Sequence, residues 1–287
     1  MPTPTRSHAF ELYDDLEGPN LDATRWAPAR LPLPTGDVHV PLDPAAQVTV
    51  GVGEVRVTIP RFTLAHDRFQ AVDSAKHLTV STHAFALPPD GPVSFAVEQA
   101  VENIRGEPAD FRRGMAAFHV FDLKTTQRVF AVVGTSTRVF AMHERLGLGE
   151  DAFYHVIESP YADFDDDFTR LRTCEITLDR GRSTAAWSVD GQKVYEAHGT
   201  VIGDEAQIGF GIWTMLPIRD GRSRSLTGQG MEARWRRFRV LRGRHVSGHE
   251  AAQRNHGVNR PGQSGRAGRG APGRPGSSAR RSCRRAP

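Results

Sequence analysis

Cysteine is scarce in this sequence, with only Cys174 and Cys283 present. Two thiols cannot build a disulfide framework or a four-thiolate zinc site. Long apolar runs are missing too, none approaching the roughly 18 residues that cross a bilayer, so no membrane partner is expected. The opening, Met1-Pro2-Thr3-Pro4-Thr5-Arg6-Ser7-His8, leads to Phe10-Glu11-Leu12-Tyr13 without the apolar stretch of roughly 7–15 residues that a secretory signal carries, which predicts a cytoplasmic location. No Gly-x-x-x-x-Gly-Lys phosphate loop or Gly-x-Ser-x-Gly nucleophile elbow occurs, and Gly51-Val52-Gly53 precedes a strand-like run rather than a helix. No cofactor is expected. Lysine is nearly absent, three against 34 arginines, which with abundant Ala, Gly and Pro reads as the imprint of a GC-rich bacterial genome rather than of arginine chemistry.

The formal charge of +4 hides a division. Residues 245–287 hold nine Arg and one Glu, which leaves 28 basic and 32 acidic side chains in residues 1–244. That last segment also has eight Gly, four Pro and no aromatic residue, too little apolar surface to offset its ordering entropy. The expected organisation is a flexible 1–9, one globular domain over 10–242, and a disordered Arg/Gly/Pro-rich tail over 243–287. Stretches such as Gly265-Arg266-Ala267-Gly268-Arg269-Gly270 can hold phosphate by charge, but they lack aromatic residues for base stacking. Nucleic acid is therefore not the expected partner, and only the tail has the charge for it.

Within the body, alternation dominates and 3.6-residue periodicity is not sustained. About thirteen strand-like runs can be traced, among them Glu54 to Ile59, Val93 to Gln99, Met115 to Phe121, Ile208 to Trp213 and Glu232 to Leu241. Turn residues separate them, above all Asp190-Gly191 between two alternating runs. This predicts an all-β, two-sheet antiparallel sandwich. The run Val129-Phe130-Ala131-Val132-Val133 is apolar on both faces, which marks a central strand covered on both sides.

Three segments carry a resemblance. Tyr13 to Trp26, with its acidic-Gly turn before Leu21-Asp22-Ala23-Thr24-Arg25-Trp26, resembles the first strand and turn of concanavalin A-like lectin/glucanase proteins. Trp187-Ser188-Val189-Asp190-Gly191-Gln192-Lys193-Val194-Tyr195 resembles a strand pair of that superfamily joined at a Val-Asp-Gly hairpin. Met231 to Val240 is similar to its final strand. The resemblance implies a jelly roll of two curved sheets with ligands on the concave one. In the superfamily's family 16 glycoside hydrolases, a central strand carries Glu-x-Asp-x-x-Glu, and a retaining mechanism needs two carboxyls about 5–5.5 Å apart. The corresponding region here, Phe118 to Met142, offers Val129 to Gly134 and no carboxylate in that strand. Glu98 and Glu102, four positions apart on a strand, are separated by about 13 Å. Retaining glycosidase activity is therefore not expected.

Polar residues that interrupt apolar runs are the candidates for chemistry. Alternation sets His119 beside Met115, Ala117 and Phe121, and His143 beside Val139 and Ala141. Each is either an acid/base near pH 7 or a core imidazole with one hydrogen-bond partner. Trp213 shares a face with Gly209 and Gly211, which suggests a shallow trough where a sugar or planar ring could stack. Trp187 and Tyr154 are further candidate ligand contacts, while Trp26 and Trp235 read as core. The acidic Asp163-Phe164-Asp165-Asp166-Asp167 lacks the turn glycine and terminal Glu of a calcium loop, so no metal is expected.

Two readings remain, and the sequence leaves open which applies. One is a binding protein whose concave face takes a small-molecule or carbohydrate ligand, sugar-like or flat aromatic, through Trp213, Trp187, Tyr154, Glu98 and His119. The other is a cofactor-independent cytoplasmic cyclase, isomerase or dehydratase of polyketide-type secondary metabolism, with Glu98 or His119 as base and His143 or Tyr154 stabilising developing charge.

Overall fold

The computed structural model describes residues 10–33, 35–146, 152–158, 165 and 167–243, which belong to one compact unit. The expected flexible residues 1–9 and the tail from 244 onward lie outside the described residues. The strands in chain order are β1 (Glu11–Asp14), β2 (Trp26–Pro28), β3 (Leu31–Pro32), β4 (Val38–His39), β5 (Gln47–Gly51), β6 (Glu54–Ile59), β7 (Ala75–Ser81), β8 (Phe85–Ala86), β9 (Val93–Ile104), β10 (Met115–Asp122), β11 (Arg128–Gly134), β12 (Val139–Arg145), β13 (Phe153–Ile157), β14 (Arg172–Asp179), β15 (Thr184–Val189), β16 (Gln192–His198), β17 (Glu205–Trp213) and β18 (Gly230–Arg242). One helix, α1 (Gln70–Ser74), precedes β7. No described helix is long and apolar enough to cross a membrane.

The strands form two antiparallel sheets. The first runs β16-β15-β14-β9-β18-β6-β5, with β1 also on β18, and the second runs β13-β12-β11-β10-β17-β7-β2, with β8 also on β17. Pairing of β9 with β14 and β18, and of β10 with β17, sends the chain repeatedly from one sheet to the other. This is the jelly roll that the sequence predicts. Every strand-like run read from alternation is a strand. The two- and three-residue β2, β3, β4 and β8 are too short to show a period, and they were not foreseen.

Between the sheets lies an aromatic core that includes the fully buried Trp187, Trp235, Phe95, Phe118, Phe210 and Phe238. Its indoles need partners when buried. Trp235 Nε1 donates to Gln99 Oε1 at 2.8 Å, and Trp26 Nε1 to Asp14 Oδ2 at 2.6 Å. The outer face of the first sheet is solvated in the ordinary way, with Glu54, Arg56 and Thr58 alternating against buried Val55, Val57 and Ile59. The second sheet breaks that rule, because all eight residues of β10 are buried.

A buried polar knot fastens the loops at one end of the second sheet. Lys76, fully buried, donates to the Leu64 carbonyl at 2.6 Å and pairs with Asp73 at 3.6 Å. Asp73 in turn accepts from Ser225 at 2.5 Å, Ser223 at 2.8 Å and the His66 backbone N–H at 2.9 Å. Desolvation lowers the Lys76 amine to about 8, with the charges of Asp73 and Asp43 opposing the shift. The knot gives no sequence signal, because Lys76 is held by Leu64 and Asp73 before it while Asp73 is held by Ser223 and Ser225, about 150 residues farther along the chain.

Two hairpins carry type I′ turns. At Asp190-Gly191 the φ values are 49° and 77°, as that dipeptide favours. At Val52-Gly53 they are 55° and 73°, and a β-branched residue occupies the left-handed position with its side chain 94% exposed. That conformation costs a β-branched residue on the order of 1–2 kcal/mol with no packing in return. Val52→Asn should therefore stabilise the protein by about 1 kcal/mol in urea unfolding, with an unchanged m-value.

Candidate functional site

The far face of the second sheet, the one expected to be concave, is built from residues that register aligns in rows. Tyr154, Glu144, Val129, Phe121 and Gln207 form one row, from β13 to β17. Val156, Met142, Ala131, His119, Gly209 and Val80 form the next, and Phe140, Val133, Ala117, Gly211 and Leu78 a third. An antiparallel face of this composition would be unstable in open water, and a second apolar cluster, Met115, Ala117, Phe121, Val129, Ala131, Val133, Phe140 and Met142, is buried here away from the main core.

Sequence reasoning suggested a trough at Gly209 and Gly211. The structure fills it. A Cβ on Gly209 would sit 3.0 Å from the Phe121 ring and 2.7 Å from the Thr79 carbonyl oxygen, and one on Gly211 would sit 3.2 Å from Trp213 Nε1. Those glycines let the two aromatic rings lean back over the sheet. Trp213 thereby reaches His119, with ring centroids 5.4 Å apart, although it starts four residues farther along β17 than His119's direct partner Gly209.

Polar atoms on this face lack partners. His119 is 1% exposed, flanked by Ala131 and Gly209, and neither its Nδ1 nor its Nε2 has a hydrogen bond among the described residues. Trp213 Nε1 and Tyr154 Oη are likewise buried without partners. Such groups cost roughly 1–3 kcal/mol each unless something satisfies them. Burial drives the His119 imidazole down to about 3, so at neutral pH it is an uncharged ring with one donor and one acceptor, not a base waiting for a proton. Glu144, half-buried beside Val129 and Tyr154, is pushed by desolvation up to about 7. Burial, then the Glu144 charge, raises the Tyr154 hydroxyl far above its ordinary range. Glu144 was missed from sequence because it closes a strand at a polar Glu144-Arg145 pair that resembles a solvated end.

Of the six residues singled out from sequence, His119, Trp213 and Tyr154 come to this face. The other three do not. Glu98 lies on β9 in the first sheet, turned outward and ion-paired with Arg236 at 3.1 Å and Arg237 at 3.0 Å. His143 faces the core side of the second sheet, stacked on Phe130 at 5.1 Å, and Trp187 packs 5.9 Å from it within the core. Strand alternation separates His143 from Met142 and Glu144, and membership of the other sheet separates Glu98. Val129, Ala131 and Val133 occupy the far-face positions of β11, so this strand presents no carboxylate. Within the acidic 163–167 stretch, Asp163, Phe164 and Asp166 lie outside the described residues. Asp165 and Asp167 pair with Arg170, and no described group of three metal-ligating side chains converges.

A family model described as "Family of unknown function (DUF6081)" matches residues 20–244. The chain belongs to this family. No curated protein matches it. Among solved structures, the endo-1,3-β-glucanase from Streptomyces sioyaensis is similar at 12% identity with a TM-score of 0.55, covering 85% of this chain and 100% of that one. The catalytic domain of an endo-1,3-β-glucanase (laminarinase) from Thermotoga petrophila RKU-1 is similar at 10% identity with a TM-score of 0.50, covering 82% and 98%. This DUF6081 chain thus shares the jelly-roll fold of these structures, and its β11 carries an apolar far face.

The buried histidines of the DUF6081 chain contribute to its sensitivity to acid. His119 is lowered to about 3, and His77 and His143 to about 4, each chiefly by desolvation. A group with a depressed pKa contributes stability in full above its unfolded value near 6.5 and loses it as pH falls toward the folded value. Unfolding free energy should fall by up to about 1.4 kcal/mol per pH unit per histidine between pH 6.5 and 4, and His119→Leu should reduce that slope by close to one proton in denaturant titrations.

Proposed function

We propose that this protein binds a small ring-bearing ligand, sugar-like or flat aromatic, against the far face of the second sheet, and that it is not a retaining glycosidase. The observation that carries this reading is the set of unpartnered polar atoms, His119 Nδ1 and Nε2, Tyr154 Oη and Trp213 Nε1, on one apolar face. A ligand with a few hydroxyl or carbonyl groups on an otherwise flat skeleton would satisfy them while the half-buried Trp213 ring stacks on it. The jelly roll shared with endo-1,3-β-glucanases supports a sugar-like ligand, and the scarcity of charge on this face supports a flatter, less hydroxylated one. The absence of carboxylates at Val129, Ala131 and Val133 supports binding without retaining hydrolysis. Titrations with β-1,3-gluco-oligosaccharides and with hydroxylated naphthalenes, followed by tryptophan fluorescence, should saturate for one class at millimolar concentration or below. Trp213→Ala and His119→Gln should each weaken that binding at least tenfold. No saturation with either class, or unchanged affinity in both variants, would sink the reading.

A second reading, a cofactor-independent cyclase, isomerase or dehydratase, is favoured by one observation. Glu144, pushed up to about 7 by burial, lies directly opposite Tyr154 across the β12–β13 pair, which sets a proton-exchanging carboxyl beside a hydroxyl donor. In this reading Glu144, rather than Glu98 or His119, moves the proton, and Tyr154 steadies the developing negative charge. Incubation with extracts of a strain lacking the gene should convert an accumulated metabolite, and Glu144→Gln should slow that conversion by roughly 10²–10⁴-fold. Equal conversion by wild type and variant would exclude this role for Glu144.

A further inference from the structure

Among the described residues in the rows of the far face, Glu144 alone can hold a charge at neutral pH. His119 and Tyr154 stay neutral there, His119 because burial lowers it to about 3, and Tyr154 because burial and the Glu144 charge raise it. The β17 and β7 positions of those rows are Gln207, Gly209, Gly211, Leu78 and Val80, none of which titrates. At the opposite end of the face, the loop that sets Phe111 against Phe140 carries Asp110 and Arg112, which are paired with each other at 2.8 Å. Alternation turns Arg128, His143, Arg145 and His155 to the other side of the sheet. Half-buried Glu144 lies directly opposite Val129 and Tyr154, and burial alone pushes its carboxyl up to about 7, with no described cation drawing it back. A carboxylate taken out of water without a counter-charge is costly, and nothing described on this face offsets it.

We infer that the ring-bearing ligand of the far face carries a protonated amine and that Glu144 is its counter-charge, an inference that rests on the far face being a binding face. The ammonium would meet the Glu144 carboxylate in a charge-assisted hydrogen bond and lie against the neighbouring Tyr154 ring, whose π face favours a cation. The buried, unpartnered nitrogens of His119, which is 1% exposed, and Trp213 Nε1 would meet polar groups on the ring itself. Glu144 and His119 stand two strands and one pleat apart, on the order of 12 Å between their backbones, which suits an aminomethyl arm on a one- or two-ring skeleton. The sequence around β13 has the matching sign. Leu146 to Asp167 holds seven Asp or Glu and no Lys or Arg, and three of those acids, Glu158, Asp165 and Asp167, pair with Arg138 or Arg170. A field of that sign draws cations and repels anions. The competing account of the same carboxyl is proton transfer on a carbonyl compound, which needs no charge on the ligand.

Matched amine and alcohol probes separate the two accounts. The full-length protein is titrated by calorimetry with 2-naphthylmethylamine against 2-naphthylmethanol, and with 6-amino-6-deoxyglucose against glucose. The pair that responds identifies whether the ring is flat aromatic or sugar-like. At pH 8 the amine of that pair should bind at least tenfold more tightly than its alcohol. Between pH 8 and pH 6 its affinity should fall roughly tenfold as Glu144 takes up a proton, while the alcohol changes little. Binding of the amine at pH 7 should release close to half a proton, read from the heat in two buffers of different ionisation enthalpy. Glu144→Gln should lose the preference for the amine and its pH dependence, whereas Glu196→Gln, which removes an equal charge paired with Lys193 on the first sheet, should behave as wild type does. Equal affinity for amine and alcohol, an amine affinity that does not change with pH, or an unchanged preference in Glu144→Gln would overturn this inference and leave the far face a site for neutral rings. Binding of none of the four probes would overturn it together with the reading it rests on. If Glu144→Gln does not fold, the pH dependence and proton release of the wild type decide.

Discussion

Burial of both faces of the second sheet is the constraint on which the rest depends. One face of β10, β11 and β17 closes the aromatic core, and the other carries a second apolar cluster. Every polar group admitted to that second face has therefore been taken out of water. His119 is neutral because of it, Glu144 retains a proton near neutrality because of it, and Tyr154 and Trp213 hold polar atoms without partners because of it. The first sheet shows the alternative. Its outer face is laced with ion pairs between Glu54, Arg56, Glu232, Arg234, Arg236 and Glu98.

Glycine has a specific part in shaping the far face. At Gly209 and Gly211, a Cβ would collide with the backbone of β7 or with the rings of Phe121 and Trp213. The space those side chains would have occupied is used to lay aromatic rings flat over the sheet. The far face thus presents aromatic rings beside the imidazole of His119. Fold alone does not transmit a reaction, and β11 presents Val129, Ala131 and Val133 on this face.

The knot around Lys76 and Asp73 and the edge cluster around Arg128 show two ways of treating buried charge. In the knot, carbonyl and hydroxyl groups from both ends of the chain satisfy an ammonium and a carboxylate together, and the result is a fastening. At the edge, the Arg128 guanidinium lies over the Phe153 ring, 4.6 Å from its centroid.

Alternation was enough to give the fold class and the strands of five or more residues, because a half-buried strand must repeat every two residues and the Asp190-Gly191 turn requires two positive φ values. It also gave the absence of carboxylates in β11, which depends on residue identity alone. His119 was legible as a polar interruption of an apolar run, and Trp213 through the face it shares with Gly209 and Gly211, since both follow from neighbours within one strand. Which faces become neighbours was not legible. The separation of Glu98 from His119, the turning of His143 toward Trp187, the arrival of Glu144 beside Tyr154 and the closing of the trough by Phe121 and Trp213 depend on strand order and register across the sheets. Those are set by contacts between residues far apart in the chain, which no period within a single strand records.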